Sequence, residues 1–175
     1  MSRSSLPVNF CLRCGHALED RLVFGRTRRA CPACSFVFFQ EPKVAAGALI
    51  ERDGAVLLVR RSVDPRSGAW ALPAGYMEID EGPVAAAMRE CFEETGLIVR
   101  ITGLFGVYHI ANDPRGAGVL ILYRAVPESD DLRPGDDASE VVYFGPREMP
   151  RDIAFASTRR ALARWCAERR MKDEG

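Results

Sequence analysis

Residues 75–97 read GYMEIDEGPVAAAMRECFEETGL, and this stretch decides the fold. Its proline suits the first turn of a helix and its last glycine suits the end of one, so the sequence predicts a helix between them. On that helix Glu90, Glu93 and Glu94 stand at i, i+3 and i+4, which places three carboxylates on one face. Carboxylates crowded in this way repel one another unless hard divalent cations lie among their oxygens. The stretch therefore predicts a cation site on one face of a helix.

The order and gaps of the charged residues in this stretch resemble the signature of the Nudix hydrolases. A glycine is followed at fixed distances by an isolated glutamate, an Arg-Glu pair, a Glu-Glu pair and a closing glycine, with no departure from the pattern. The segments ALIERDGAVLLVRR and WALPAGYMEIDEG, which precede it, are also similar to that family. The resemblance implies a three-layer α/β/α sandwich of the α/β class with a mixed sheet, and hydrolysis of a phosphoanhydride by a cation-activated water.

The resemblance also implies roles for the residues of the signature. Glu81 and Arg89 are expected to form an ion pair that holds the loop before the helix. The expected ligands of Mg²⁺ or Mn²⁺ are the carbonyl of Gly75 and the carboxylates of Glu90, Glu93 and Glu94.

A further carboxylate often arrives from a later loop in enzymes of this family, and three acidic residues here are candidates. Glu140 stands before an apolar strand and is the first choice, with Asp136 and Asp137 behind it. Glu93 or Glu140 is expected to take the proton from the attacking water. A solvated acidic loop remains the alternative for each residue of this segment.

Two groups of side chains are candidates for substrate binding. Cationic residues that would hold a phosphate are Lys43, Arg60 and Arg61. Aromatic residues that would stack on a base are Trp70, Tyr76 and Tyr108. Exposed strand ends and core packing are the respective alternatives.

The nature of the substrate is indicated only by further resemblances. NADH pyrophosphatases are more distantly similar, since they have a Ser-Gln-Pro-Trp motif where this chain has GVYHIANDP. The plant chloroplast Nudix pyrophosphatases resemble it more, in the FCxxCG start, EPKVAAGALIE, LPAGYME and DIAFASTRRAL. This resemblance implies hydrolysis of FAD or ADP-ribose to AMP. NADH, another dinucleotide or an NDP-sugar is the alternative substrate, and a non-catalytic nucleotide sensor is the alternative function.

Four of the six cysteines form two pairs with zinc-ribbon spacing. The pairs are Cys11 with Cys14 and Cys31 with Cys34, separated by sixteen residues that suit a hairpin. A unit this small cannot bury enough surface to fold alone, so a structural Zn²⁺ is predicted. Two disulfides and a rubredoxin-like iron are the alternatives.

The remaining sequence predicts one larger domain after this ribbon. We expect a zinc ribbon over residues 1–42 and a Nudix domain over residues 43–175. Strands are expected at 44–50 and 55–60, joined by an Asp-Gly turn, and at 98–102, 105–110, 118–126 and 141–144. Residues 75–82 are expected to form a loop and residues 158–170 a helix.

The overall composition is that of an ordinary globular protein. It is 47% hydrophobic and 27% charged, with a formal net charge of zero and no apolar stretch long enough to span a bilayer. We expect a cytoplasmic protein whose partner is a small nucleotide and which forms a homodimer. Neither a membrane nor a nucleic-acid partner is favoured by this charge balance.

Overall fold

The computed structural model describes residues 8–110, 117–135 and 137–173. The chain divides into two compact units, one ending at Pro42 and the other beginning at Lys43. Each unit has its own sheet and its own hydrophobic core.

The first unit is a small antiparallel sheet with two cysteine-bearing turns, one before its first strand and one before its third. Its strands, in the order β1-β2-β3, are β1 (Glu19–Val23), β2 (Arg26–Ala30) and β3 (Val37–Phe38). The hairpin predicted between the cysteine pairs is confirmed, and β3 is an addition to it. The first turn closes through a bond from the N–H of Gly15 to the carbonyl of Cys11 (2.9 Å). The glycine has a φ of 75°, in the left-handed region that this turn requires.

The second unit is built on a mixed sheet. Its elements are β4 (Lys43–Arg52), β5 (Ala55–Arg61), β6 (Trp70–Ala71), β7 (Ala74–Tyr76), α1 (Pro83–Thr95), β8 (Val99–Ile110), β9 (Gly118–Pro127), β10 (Ala138–Phe144) and α2 (Ala156–Asp173). The strand order is β10-β5-β4-β9-β8, with β6 paired to β5 and β7 to β4. Strands β4 and β9 are parallel and the other pairs are antiparallel. No helix in the described part of the chain is long and apolar enough to cross a membrane.

The two helices cover opposite faces of this sheet. Along β4, Leu49 packs in a core cluster with Trp165 of α2. Its neighbours Ala48 and Ile50 pack in another cluster with Cys91 of α1. Because successive strand residues point to opposite faces, this alternation establishes the predicted three-layer α/β/α arrangement.

The ends of α1 are fixed by the residues that the sequence indicated. Pro83 begins the helix, and Gly96 ends it with a φ of 72° and a bond from its N–H to the carbonyl of Phe92. The loop after β9 then bonds the last free carbonyls: the N–H of Arg133 donates to Thr95 (3.0 Å) and that of Gly135 to Glu94 (3.2 Å). The segment around Arg133 and Gly135 therefore lies against the last turn of α1.

Two details of the predicted elements were wrong. The segment expected as a loop from residue 75 begins as β7, because Gly75 and Tyr76 pair with Ala46 and Ala45 of β4. The two strands expected at 98–102 and 105–110 are one strand, β8, whose register shifts twice against β9. The Asp53-Gly54 hairpin turn is confirmed, with φ values of 50° and 81°.

Helix α2 is tied to the sheet by a polar network around Glu51. This carboxylate accepts a bond from Trp165 Nε1 (2.6 Å) and pairs with Arg124 (3.0 Å), which also pairs with Glu168. Replacement of Glu51 by Ala leaves the indole N–H without its acceptor, so we expect a loss of about 1–3 kcal/mol in the free energy of unfolding. Urea denaturation measures it. Glu128→Ala, which removes an exposed pair with Arg100, is the control and should cost under about 0.5 kcal/mol.

Candidate active site

Helix α1 presents its three glutamates to a cleft. The cleft has a volume of about 490 Å³ and is lined by Glu90, Glu93, Glu94 and Asp137. Asp137 immediately precedes β10, and it is brought here by the loop that docks on the end of α1. Four carboxylates thus share one concave surface.

Glu94 is the most deeply buried of these carboxylates. Only 8% of the residue is exposed, and its Oε2 accepts one bond from the N–H of Ala74 (3.2 Å). Burial, together with the nearby carboxylate of Glu90, raises the pKa of Glu94 to about 8. The ionised form therefore needs a positive charge beside it at neutral pH.

Glu90 lies directly against Gly75. A Cβ built on this glycine would stand 2.3 Å from the Cδ and both carboxylate oxygens of Glu90. Burial raises the pKa of Glu90 as well. The backbone of β7 and the carboxylates of α1 consequently meet at one point, which is possible only without a side chain at residue 75.

Gly75→Ala should therefore displace the carboxylate of Glu90 rather than unfold the protein. The carboxylate is the far end of a flexible side chain, so we expect little change in Tm but a loss of roughly 10–100-fold in kcat/KM, as for disturbed metal-site geometry. Gly103→Ala is the matched control, since nothing lies within 4 Å of its added Cβ. Equal kcat/KM values for the two variants would show that the position of the Glu90 carboxylate does not affect the reaction.

Arg89 holds the loop before α1 in place. Its Nη2 pairs with Glu81 (2.6 Å) and donates to the carbonyl of Tyr76 (3.2 Å), while its Nη1 pairs with Glu90 (2.7 Å) and Glu93 (2.8 Å). Bonds from Arg89 lower the pKa of Glu81. The structure thus brings together the expected ion pair of Glu81 and Arg89.

This set of donors suits a hard divalent cation. Such ions take oxygen ligands from carboxylates and backbone carbonyls. Glu90, Glu93, Glu94 and Asp137 surround the cleft, whereas Arg89 is shared among three carboxylates. A cation in the cleft would keep buried Glu94 ionised, so the residues present fit the group that the sequence predicted.

The later carboxylate at the cleft is Asp137 and not Glu140. Glu140 stands opposite Arg60 in the β10–β5 pair, and the two side chains form an ion pair at 2.5 Å. An irregularity between Ala138 and Glu140 shifts the register there, which the sequence does not locate. Asp136 lies outside the described residues. Gly135 permits the close approach of this loop, since its added Cβ would stand 2.2 Å from the carbonyl oxygen of Glu93.

The two arginines at the end of β5 bond to the chain itself. Arg60 Nε donates to the carbonyl of Gly68 (2.9 Å) in addition to its pair with Glu140. Arg61 Nε donates to the carbonyl of Pro65 (3.0 Å), and its guanidinium lies over the ring of Phe155. Of the two, Arg61 is close enough to lower the pKa of Glu94 electrostatically.

The candidate aromatic residues occupy different environments. Lys43 Nζ lies 4.9 Å from the ring centroid of Tyr76, which follows Gly75 directly. Trp70 instead packs edge-on against Phe144 (4.9 Å), in the core cluster beneath α2. Tyr108 packs against the same cluster. Core packing therefore accounts for Trp70 and Tyr108, because an aromatic side chain fills more of a core than other residues do.

The four cysteines of the first unit converge on one point. Their Sγ atoms all lie within 4.8 Å of one another, with three of the separations at 3.5, 3.5 and 3.6 Å. A tetrahedral Zn²⁺ with Zn–S bonds of about 2.3 Å has S···S edges of about 3.8 Å. All six cysteines are free of disulfides, and His16 Nδ1 lies 3.6 Å from Cys14 Sγ. The cluster can therefore bind a metal ion, with an imidazole beside one ligand.

Cys91 is fully buried in the core on the α1 side of the sheet. Cys166 is half-buried at the core beneath α2. Neither thiol lies in the carboxylate cleft. The chemistry of the cleft therefore rests on its carboxylates.

Known proteins that are similar to this chain share the same domain. Residues 41–166 match the family model described as NUDIX domain. An ADP-ribose pyrophosphatase of Methanocaldococcus jannaschii is 38% identical over 118 residues, 67% of this chain and 69% of that protein. A MutT-like protein of Streptomyces ambofaciens is 35% identical over 109 residues, 62% and 67% of the two chains.

Solved structures agree with the sequence comparison. The crystal structure of a Nudix hydrolase from Nitrosomonas europaea has a TM-score of 0.83 and 38% identity, covering 93% of each chain. The match of the family model alone spans well over half of this chain. The chain therefore belongs to the Nudix family, which confirms the prediction that it is a Nudix pyrophosphohydrolase.

Proposed function

We propose that this protein hydrolyses ADP-ribose to AMP and ribose 5-phosphate, with divalent cations held by the glutamates of α1. The observation that carries the proposal is the cleft in which Glu90, Glu93 and Glu94 face the backbone of Gly75. In the reaction the oxygen of one water bonds to one phosphorus and the bridging P–O bond breaks. One proton leaves the water and both products are phosphate monoesters.

The glutamates divide into ligands and a proton acceptor in this proposal. Glu90 and Glu94 are the more buried and would hold Mg²⁺ or Mn²⁺ together with the carbonyl of Gly75. A cation bound there would lower the pKa of water and neutralise charge on the phosphate oxygens. The side chain of Glu93 is more exposed (39%), so its carboxylate can leave its ion pair with Arg89, turn toward the water and accept the proton. Asp137 adds negative charge to the lining of the cleft.

The choice of ADP-ribose rests on sequence likeness together with local geometry. The relative from Methanocaldococcus jannaschii is an ADP-ribose pyrophosphatase. Lys43 Nζ lies 4.9 Å from the ring centroid of Tyr76, the last residue of β7, and the proposal takes this ammonium group and this ring as contacts of the part of the substrate beyond the diphosphate. FAD, which the resemblance to chloroplast enzymes implies, shares the AMP half and is the second substrate of the proposal.

In the first unit we propose a structural Zn²⁺ bound by Cys11, Cys14, Cys31 and Cys34. The tetrahedral fit of the Sγ atoms supports it, and all four positions are filled by thiolates. The proposal takes this zinc ribbon to end at residue 42 and the Nudix domain to begin at residue 43. Its metal site has no open position for a substrate.

The test is the release of phosphate monoesters, AMP or the corresponding nucleoside monophosphate, from a panel of ADP-ribose, FAD, NADH, NDP-sugars and nucleoside triphosphates, with Mg²⁺ or Mn²⁺. We expect the highest kcat/KM with ADP-ribose or FAD. We expect no turnover of any compound once the Mg²⁺ or Mn²⁺ has been chelated. Preference for another panel member would overturn the substrate. Tight binding of ADP-ribose without turnover of any compound would favour the sensor and contradict the enzyme.

A further inference from the structure

We propose that the exposed face of α2 binds the phosphate backbone of duplex DNA without reading its sequence. This face lies on the opposite side of the sheet from the carboxylate cleft, because α1 and α2 pack on opposite faces of it. None of the residues assigned to the reaction takes part, so the DNA site and the proposed function can fail separately.

The charge of this chain is unevenly distributed. The formal net charge of zero does not favour a nucleic-acid partner for the chain as a whole. However, the cleft beside α1 is lined by four carboxylates, whereas the eighteen residues of α2 include five arginines and one lysine against one glutamate and one aspartate. A chain that separates its charges in this way attracts a polyanion to one side and repels it from the other.

Four of the arginines of α2 share its exposed side. Leu162 and Trp165 are buried and mark the side that packs on the sheet. The helical period places six exposed residues on the other side, as two rows of arginines with small alanines between them. We call these residues the arginine face: Arg159 and Arg170 in one row, Arg160 and Arg164 in the other, and Ala163 and Ala167 between the rows.

The stability of the helix does not explain the arginine face. The dipole of a helix favours negative charge in its first turn, but α2 has no acidic residue there. Arg159 and Arg160 instead occupy the fourth and fifth positions of the helix, close to the positive end of the dipole. Their charges are unfavourable at this end, and an anion bound outside the helix would offset the cost.

Backbone carbonyls fix the positions of three guanidinium groups of the arginine face. A guanidinium has five N–H donors, so one bond to a carbonyl restricts the side chain and leaves other donors for phosphate oxygens. A carbonyl is also neutral and does not cancel the charge. The bonds run from Arg159 to Ile153 (2.7 Å), from Arg160 to His109 (3.1 Å) and from Arg164 to Phe105 (2.6 Å).

Carboxylates leave most of the charge of the arginine face uncompensated. Glu168 pairs with Arg164 (2.8 Å), and it is shared with an arginine of β9. No carboxylate among the described residues forms an ion pair with Arg159, Arg160 or Arg170. Guanidinium groups bind phosphate through two parallel hydrogen bonds, so the arginine face suits a row of phosphates.

The composition of the arginine face favours a duplex over other polyanions. A helix that binds a membrane turns its apolar side to the lipid, but that side of α2 is buried against the sheet. Single strands are held by stacking of their bases on aromatic rings, and the arginine face carries none. The major groove of B-DNA, about 12 Å wide, admits an α-helix, and the small Ala163 and Ala167 would let α2 approach it closely. The two rows of arginines would then face the phosphates on both sides of the groove.

The test is the binding of a fluorescein-labelled DNA duplex of about 20 base pairs, two turns of the double helix. Fluorescence anisotropy is measured with the full-length, zinc-loaded protein over a series of NaCl concentrations. Three or four phosphate contacts predict a slope of about −3 in a plot of log K against log salt concentration. At about 50 mM NaCl we expect a Kd on the order of 1–100 µM, in the range of binding that does not depend on sequence.

The double variant Arg160→Gln/Arg170→Gln removes one arginine from each row. We expect the slope to become shallower by about two and the Kd at about 50 mM NaCl to rise at least about tenfold. Arg21→Gln/Arg100→Gln is the matched control, because it removes the same charge at two exposed ion pairs outside α2. Its Kd should stay within about threefold of that of the wild type.

Ala163→Glu is the second variant, since it places a carboxylate between the two rows and leaves every arginine of the face in its position. It should weaken binding as strongly, and Tm shows whether each variant is folded. A wild type that does not bind the duplex at low salt would overturn the proposal. So would tighter binding of the corresponding single strand, binding of phosphatidylserine vesicles but not of the duplex, or an equal loss of affinity in the control. ADP-ribose turnover, measured in parallel, reports on the proposed function alone.

Discussion

Glu94→Gln should lower kcat/KM for ADP-ribose by at least about 100-fold while the protein stays folded. Glu94 is the most buried carboxylate of the cleft, and the amide removes the charge that would bind a cation there. Loss of a group that a catalytic site requires costs about 10²–10⁴-fold, which sets the lower bound. The fold should tolerate the amide, because its oxygen can still accept the bond from the N–H of Ala74.

The measurement is steady-state AMP release at saturating Mg²⁺, with Tm recorded for each protein. Glu93→Gln should lose activity as well, since it removes the proposed proton acceptor. Glu140→Gln is the control, because Glu140 pairs with Arg60 outside the cleft, and it should retain activity within about threefold. Greater loss in the Glu140 variant than in the Glu94 variant would return Glu140 to the catalytic role that the sequence first suggested.

Cys31→Ser should unfold the first unit and abolish its metal binding. Among its described residues, 8–42, the core cluster of the unit consists of Cys11, Leu18 and Cys31 with a few partly buried neighbours. Such a core is too small to offset the conformational entropy of folding, so the metal must supply most of the stability. We expect the measured zinc content to be one ion per chain in the wild type and none in the variant. Limited proteolysis should cleave the variant before Lys43.

Cys166→Ser is the matched control for that experiment. Its Sγ lies at 3.8 Å from the carbonyl of Pro146, outside the four-cysteine cluster, so the zinc content should be unchanged. The second unit has its own core beneath both helices and should keep its Tm in the Cys31 variant. A folded first unit without zinc, or with iron in its place, would contradict the assignment.

The sequence predicted α1 and its carboxylate face closely because local chemistry determines them. Pro83 and Gly96 set the ends of the helix, and the helical period alone brings Glu90, Glu93 and Glu94 together. Alternating and helical hydrophobic patterns similarly predicted most strands and α2. These features depend on residues within a few positions of each other.

The errors arose where distant parts of the chain decide the outcome. Strand β8 continues through Gly103 and Gly106, which usually interrupt strands, because its partner β9 accommodates two register shifts. Strand β7 forms because its backbone pairs with that of β4. Similarly, Asp137 reaches the cleft through bonds between its loop and the last turn of α1. No local pattern shows these pairings.

The substrate-binding candidates show the same limit. Trp70 and Tyr108 were chosen for their aromatic rings, yet the sheet directs both toward the core beneath α2. Lys43 and Tyr76 stand together although they are distant in sequence, because β4 pairs with β7. Which ring faces solvent depends on strand register, and one register shift reverses it.

The most direct test of the account is the hydrolysis of ADP-ribose by the zinc-loaded protein, freed of Mg²⁺ and Mn²⁺, during titration with Mg²⁺. Products are followed by ³¹P NMR in parallel with the Glu94→Gln variant. We predict no turnover before Mg²⁺ is added, then conversion of the diphosphate into two phosphate monoesters by the wild type alone. Turnover independent of Mg²⁺, or equal rates in wild type and variant, would contradict the assignment of the α1 carboxylate cleft as the catalytic centre.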